Sequence, residues 1–360
     1  MLDRIAGRAF PVQELRNAAA GRLHTDFWLG RVDPEVFPVA EWRRILDLKL
    51  RFGRTALAEY GDPQGLVALR RAIAGHLGPA RGISCTAEEV VITAGSQEAL
   101  MLIARAAEGE ARVFLHEDPG YGGAIHLCAL CGFDCRPVPV DRDGLVVAAL
   151  PEEPGAMLYV TPSHQFPTGV TLSLARRLEL LAWAERTDSL IVEDDYDGDF
   201  RHDGSPLTAL RGIDTTGRVL YVGTFSKSLS PVLRMGYIVG TAAAARTLGR
   251  WKQLLTNGPP WHMQAALADF MESGAFARHL RRIRRVYHNR HDALIDAIEA
   301  HFPGSEILGR RGGMHVAWHL PDHGFARRLQ KQALTRGIGI YTAEDGGPAF
   351  RPATIATATC

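Results

Sequence analysis

Through the middle of the chain, short apolar runs rich in β-branched residues alternate with longer stretches whose apolar positions recur at helical spacing. Residues 90–93, Val-Val-Ile-Thr, are such a run; Gly95 follows, and the pattern over 97–107 predicts a helix. The exchange then repeats. A strand at 113–115 leads to Pro119, which opens a helix running toward Cys131, and 136–140 reads as the next strand. Residues 157–160 are apolar, 174–185 are helical, and 189–193, 219–222 and 237–240 read as strands. Strands and helices in this alternation predict a mainly parallel sheet covered by helices, an α/β fold of three layers. Ligands of such sheets bind beyond the carboxyl ends of the strands, where the loops gather.

Further along, 241–255 reads as a helix that Asn257-Gly258-Pro259-Pro260 breaks. Residues 263–300 carry one long, arginine-rich helical pattern, suited to an interdomain helix with an exposed face. The segments 312–318 and 337–341 then look like strands of a smaller α+β domain. The expected division is an N-terminal segment 1–38 packing on the small domain, a large domain 39–255 that binds the ligand, and an interdomain helix with the small C-terminal domain over 256–360.

Composition narrows the function classes. The 360 residues are 46% apolar, enough for a large core, and 41 Lys plus Arg balance 40 Asp plus Glu. No overall field draws such a chain to nucleic acid or to an anionic membrane. No apolar run reaches 18 residues, and Met1-Leu2-Asp3-Arg4 lacks the order of a secretory signal, so a cytoplasmic protein without nucleic-acid or membrane partners is expected. Cys128, Cys131 and Cys135 lie close together without a second ligand pair at zinc spacing. They read as small buried residues at a helix end stopped by Gly132, and no metal is expected.

The chemistry lies in the loops. Residues 219–222 run into Gly223-Thr224-Phe225-Ser226-Lys227-Ser228, and Arg234 follows seven residues after the lysine. A lysine in surroundings of reduced dielectric loses its proton more readily and attacks carbonyls, while hydroxyls and a guanidinium beside it hold a phosphate. Pyridoxal phosphate needs both. Ala94-Gly95-Ser96-Gln97 offers a second phosphate element, because the first amides of the helix behind it are unpaired donors. At the end of another strand, Glu193-Asp194-Asp195-Tyr196-Asp197-Gly198-Asp199 supplies carboxylates that could pair with a pyridine nitrogen or, given their number, hold a divalent cation. Tyr121 in Asp118-Pro119-Gly120-Tyr121 could stack on a planar ring, and Thr161-Pro162-Ser163-His164-Gln165-Phe166-Pro167-Thr168-Gly169 is a polar, turn-rich loop after a strand.

Taken in order with Tyr60-Gly61-Asp62-Pro63-Gln64-Gly65, these motifs resemble the fold-type I pyridoxal-phosphate enzymes of the class I/II aminotransferase group over roughly residues 25 to 345. The wording of the 161–169 and 193–196 segments is most similar to the aminotransferase-like domain of MocR-type regulators. The resemblance implies that Lys227 forms the imine with the cofactor and shuttles the substrate proton, that Asp194 pairs with the pyridine nitrogen, and that Tyr196 donates to the ring oxygen. It implies Tyr121 stacked on the ring, and Gly95, Ser96, Gln97, Thr224, Ser226 and Arg234 around the phosphate, with Tyr60 reaching it from the neighbouring subunit of a homodimer. His164 or Gln165 stands near where relatives use an asparagine beside the ring oxygen and the substrate carboxylate. Arg351 is the nearest candidate for a carboxylate clamp.

Two departures are visible. The aminotransferase-like part begins within some 25 residues of Met1, where MocR-type regulators carry a winged helix-turn-helix, so DNA binding is not expected. The C-terminal residues 350–360 also diverge from the family pattern. The implied activity is that of an enzyme acting on an α-amino acid through an external aldimine, with transamination as the default. Replacement, elimination, carbon-carbon bond formation, or a non-catalytic sensor of amino compounds are the alternatives.

Overall fold

A computed structural model describes residues 23–29, 31–201, 207–320 and 323–342, together with the backbone of 355–359. The chain enters through strand β1 (Thr25–Asp26), helix α1 (Val39–Phe52) and helix α2 (Val67–Arg81). It then builds the main sheet from β2 (Val90–Thr93), β3 (Val113–Asp118), β4 (Asp134–Asp141), β5 (Gly144–Leu145), β6 (Met157–Val160), β7 (Leu190–Asp195), β8 (Val219–Thr224) and β9 (Gly236–Val239). Their spatial order is β2-β9-β8-β7-β6-β3-β4-β5. The central strands β4, β3, β6, β7 and β8 run parallel, whereas β9 runs against both β8 and β2.

Helices α3 (Ser96–Ala106), α4 (Gly122–Leu130), α5 (Leu174–Arg186), α6 (Leu210–Ile213) and α7 (Ala242–Thr256) connect or follow these strands. The sheet is buried on both faces, and strand alternation sorts its side chains between them. Val90, Ile92, Tyr221 and Val239 join Leu69, Ile73 and Leu77 of α2 in one apolar cluster. Val91, Val222 and Ile238 face the other way, onto Leu100, Leu102 and Ile103 of α3.

Two expected elements differ. The pattern over 263–300 is divided into α8 (Trp261–Glu272) and α9 (Ala275–His301), because Gly274 adopts φ 72° and ends the helical path between them. The helix after Pro119 starts at Gly122 rather than at the proline, since Tyr121 is still extended. Beyond α9, β10 (Glu306–Leu308), β11 (His315–His319), α10 (His323–Thr335), β12 (Ile338–Gly339), β13 (Tyr341–Thr342) and β14 (Ile355–Thr359) follow. An antiparallel sheet orders them β10-β11-β14-β13, and β1 pairs with β12. Of the N-terminal segment 1–38, residues 1–22 lie outside the described residues.

Candidate active site

Loops at the carboxyl ends of β2, β3, β6, β7 and β8 bring the singled-out residues to one edge of the sheet. β8 ends at Thr224, whose hydroxyl lies 3.0 Å from that of Ser226 and accepts the Ser226 N–H at 3.1 Å, which shapes the turn carrying Lys227. Lys227 is half-buried. Burial pushes its amine below the usual lysine range, and the carboxylates of Asp197 and Asp194 oppose that shift without cancelling it.

Beside it, Arg234 holds a left-handed backbone at φ 48° and donates to the Ala94 carbonyl at 2.7 Å. Gly95 has φ 90°, and a Cβ there would stand 2.8 Å from the Arg234 guanidinium. Glycine therefore permits both the turn and the close approach of the cation. Helix α3 starts immediately behind, so its first amides and Arg234 converge on one small area. Gln97 donates to the Tyr121 hydroxyl at 2.9 Å, and the Tyr121 ring sits edge-on to Phe166.

Most carboxylates of the acidic run point to separate partners in the protein. Glu193 accepts from the Leu210 and Arg211 amides, Asp195 pairs with Arg81 at 2.6 Å and with the Tyr221 hydroxyl at 2.6 Å, and Asp199 pairs with Arg284 and lies 3.7 Å from His76. Asp194 accepts the Tyr159 hydroxyl on Oδ2 at 2.8 Å, while its Oδ1 is buried with no partner. Burial raises the Asp194 carboxyl to about 7, with Asp195 and Asp197 adding to the rise. A buried carboxylate oxygen without a donor is costly, and a cationic N–H placed there would relieve it.

His164 and Gln165 separate clearly. Gln165 donates to Glu117, to the Pro119 carbonyl and to the Phe166 carbonyl, and accepts from Thr168, so its amide ties the loop together. The Glu117 beneath it is pushed up to about 7 by burial. His164 is buried, with Nδ1 2.8 Å from Asp197 and 3.2 Å from the Tyr196 hydroxyl. Its ring packs 4.4 Å from His315 of β11. His164, Asp197 and His315 are a grouping of potential ligands among the described residues. Tyr60 is 88% exposed, and Arg351 lies outside the described residues.

Sequence reasoning assigned no role to Asp197, His315, Tyr159, Glu117 or Arg81. Asp197 and His315 sat in segments that were noticed, but only the fold shows them meeting. A strand tyrosine and a helix-terminal arginine carry no local mark of their burial at a site.

A profile described as "Aminotransferase class I and II" matches residues 35–349. The chain is 38% identical over 327 residues to the "Probable rhizopine catabolism regulatory protein MocR" of Rhizobium meliloti, covering 91% of this chain and 64% of that protein. It is 30% identical to "Aromatic-amino-acid aminotransferase 1" of Thermococcus litoralis, over 86% of this chain and 77% of that one. Among solved structures, the kynurenine aminotransferase of Pyrococcus horikoshii, crystallised with PMP, superposes with a TM-score of 0.88 at 28% identity, covering 100% of this chain and 91% of that chain.

Proposed function

The chain belongs to the aminotransferase class I and II family, and from that membership we propose that it is an enzyme transferring the amino group of an α-amino acid to a 2-oxo acid. The cofactor is pyridoxal 5'-phosphate. When bound, that group supplies an aldehyde for linkage to an amine and a ring that draws electron density from the substrate carbon. The residues present fit it: an unpartnered buried carboxylate oxygen, a glycine cradle under an arginine, and open helix amides occur together.

One observation carries the reading. Lys227, its amine lowered by burial, shares its surroundings with Asp194, whose Oδ1 lacks a donor. A lysine shifted this way has a larger neutral fraction near pH 7, and the neutral Nζ is both nucleophile and proton acceptor. In this assignment Lys227 Nζ takes the proton from the substrate α-carbon and returns it. Asp194 holds the ring nitrogen, Tyr196 holds the ring oxygen, and Tyr121 packs on the ring. Gly95, Ser96, Gln97, Thr224, Ser226 and Arg234 hold the phosphate. His164 backs the Tyr196 hydroxyl, and Arg351 is retained as the candidate clamp for the substrate carboxylate.

A second copy would complete the site. Tyr60, Phe52, Val232 and Leu254 are between 69% and 88% exposed, and Tyr60 is assigned to the partner's phosphate. One other reading has a specific observation behind it. The similarity to a protein named as a regulator, of which the chain spans about two thirds, favours a sensor that captures an amino compound without turnover. Incubating the cofactor-loaded protein with pooled amino acids and 2-oxo acids separates the two. The enzyme gives new 2-oxo acids by mass spectrometry along with a change in visible absorption; a spectral change without product would favour the sensor.

A further inference from the structure

Asp197 stands outside the roles assigned above, yet it is buried at 3% exposure beside the two residues that matter most. Its Oδ2 lies 3.1 Å from the Met314 amide and 2.8 Å from His164 Nδ1. Burial works to raise its carboxyl, but the imidazoles of His164 and His315 and the Met314 N–H outweigh burial and hold it below the usual carboxylate range. One carboxylate oxygen thus faces both the Met314 N–H and His164 Nδ1, the arrangement of an acceptor between two donors. It follows that the proton between Asp197 and His164 sits on Nδ1. His164 Nε2 is buried with no partner, so a proton placed there instead would be a donor without an acceptor.

The consequence falls on Tyr196. Its hydroxyl oxygen is 3.2 Å from the same Nδ1, which already bears a proton and cannot accept another. Towards His164 the hydroxyl can act only as an acceptor, which leaves its own proton directed elsewhere. We propose that Asp197, acting through His164, is a positioning residue that fixes the imidazole tautomer and thereby turns the Tyr196 hydroxyl into a donor toward the cofactor's ring oxygen. This rests on the cofactor placement proposed above. The charged and titratable groups facing the cluster are Asp194 and Asp195 from β7, Glu117 from β3, Lys227 after β8, His315 from β11 and His291 from α9.

Two measurements test it. In the cofactor-free protein, nitrogen-15 NMR of labelled histidine should show His164 protonated on Nδ1; a neutral ring protonated on Nε2 alone overturns the inference whatever the cofactor does. In the loaded protein, the pH midpoint of the visible absorption reports the donor to the ring oxygen, because that donor stabilises the oxygen's anionic form and lowers the midpoint. Asp197→Ala frees Nδ1 to accept the Tyr196 proton, and the midpoint should rise by about one pH unit. Asp197→Asn keeps an oxygen acceptor between Met314 and His164 but removes the charge, and should leave the midpoint unchanged or lower. A role of Asp197 as charge alone predicts that both variants fall together, and that result would contradict the proposal. Absence of any visible adduct would sink the cofactor placement, while the NMR result still decides the tautomer.

Discussion

At the scale of single residues, the site is organised by which polar atoms lack partners and which do not. Asp194 Oδ1 is unmet inside the protein and so is Asp195 Oδ1, but Asp195 has the Arg81 guanidinium and the Tyr221 hydroxyl on its other oxygen. The carboxylates of Glu193, Asp197 and Asp199 are held by named neighbours. Asp194→Asn should therefore keep the fold and retain measurable cofactor binding, yet slow transamination by roughly a hundredfold or more, since a neutral amide no longer favours a protonated ring nitrogen. Steady-state turnover checks this, and unchanged turnover would return Asp194 to a structural role. The sequence made Lys227, Asp194 and Arg234 legible because each sits next to a strand end in a distinctive run. It left His164 and Gln165 as equals, since neighbours in a loop differ only in where the fold points them. Here that difference is large: the Gln165 amide is taken up by its own loop and the end of β3, whereas the His164 ring meets Asp197, Tyr196 and His315.

At the scale of elements, the phosphate-facing turn depends on helices as well as on its own residues. Glu98 in the first turn of α3 accepts the Ala94 amide at 2.5 Å, and its Oε2 also lies 2.5 Å from Lys252 Nζ of α7, a lysine with no solvent exposure. The buried pair thus fastens the Ala94-Gly95 turn to two helices. Removing one partner leaves an uncompensated charge, so Lys252→Met should cost about 3 kcal/mol of stability in urea denaturation. Adding Glu98→Gln should recover much of that loss; a double variant no more stable than the single would contradict the pairing. Apolar periodicity located α3 and α7 to within a residue or two, but it could not reveal this link, because residues 98 and 252 are brought together only by the sheet order. The same limit explains the long pattern at 263–300, where a single glycine at φ 72° divides α8 from α9 while the apolar spacing carries on across it.

At the scale of the whole molecule, the β-α alternation in the sequence was sufficient for the mainly parallel sheet, because strands buried on both faces read as short continuous apolar runs. The antiparallel β9 has no such signature. Its direction is set by the tight return after Lys227, through Ser230, Leu233 and Arg234. No helix among the described residues is long and apolar enough to cross a membrane. The dimer proposed above would cover the exposed Phe52, Tyr60, Val232 and Leu254. Sedimentation should find a dimer, and Phe52→Glu should shift it toward monomer while weakening cofactor retention, because Tyr60 would no longer reach the other subunit's phosphate. A stable monomer that keeps its cofactor would count against a shared site.

All of these expectations depend on a covalent link at position 227. The direct measurement is borohydride reduction of the cofactor-loaded protein, followed by peptide mass spectrometry. The phosphopyridoxyl mass should appear on the peptide containing Lys227 and vanish in Lys227→Ala. Label on another lysine, or label persisting in that variant, would contradict the account.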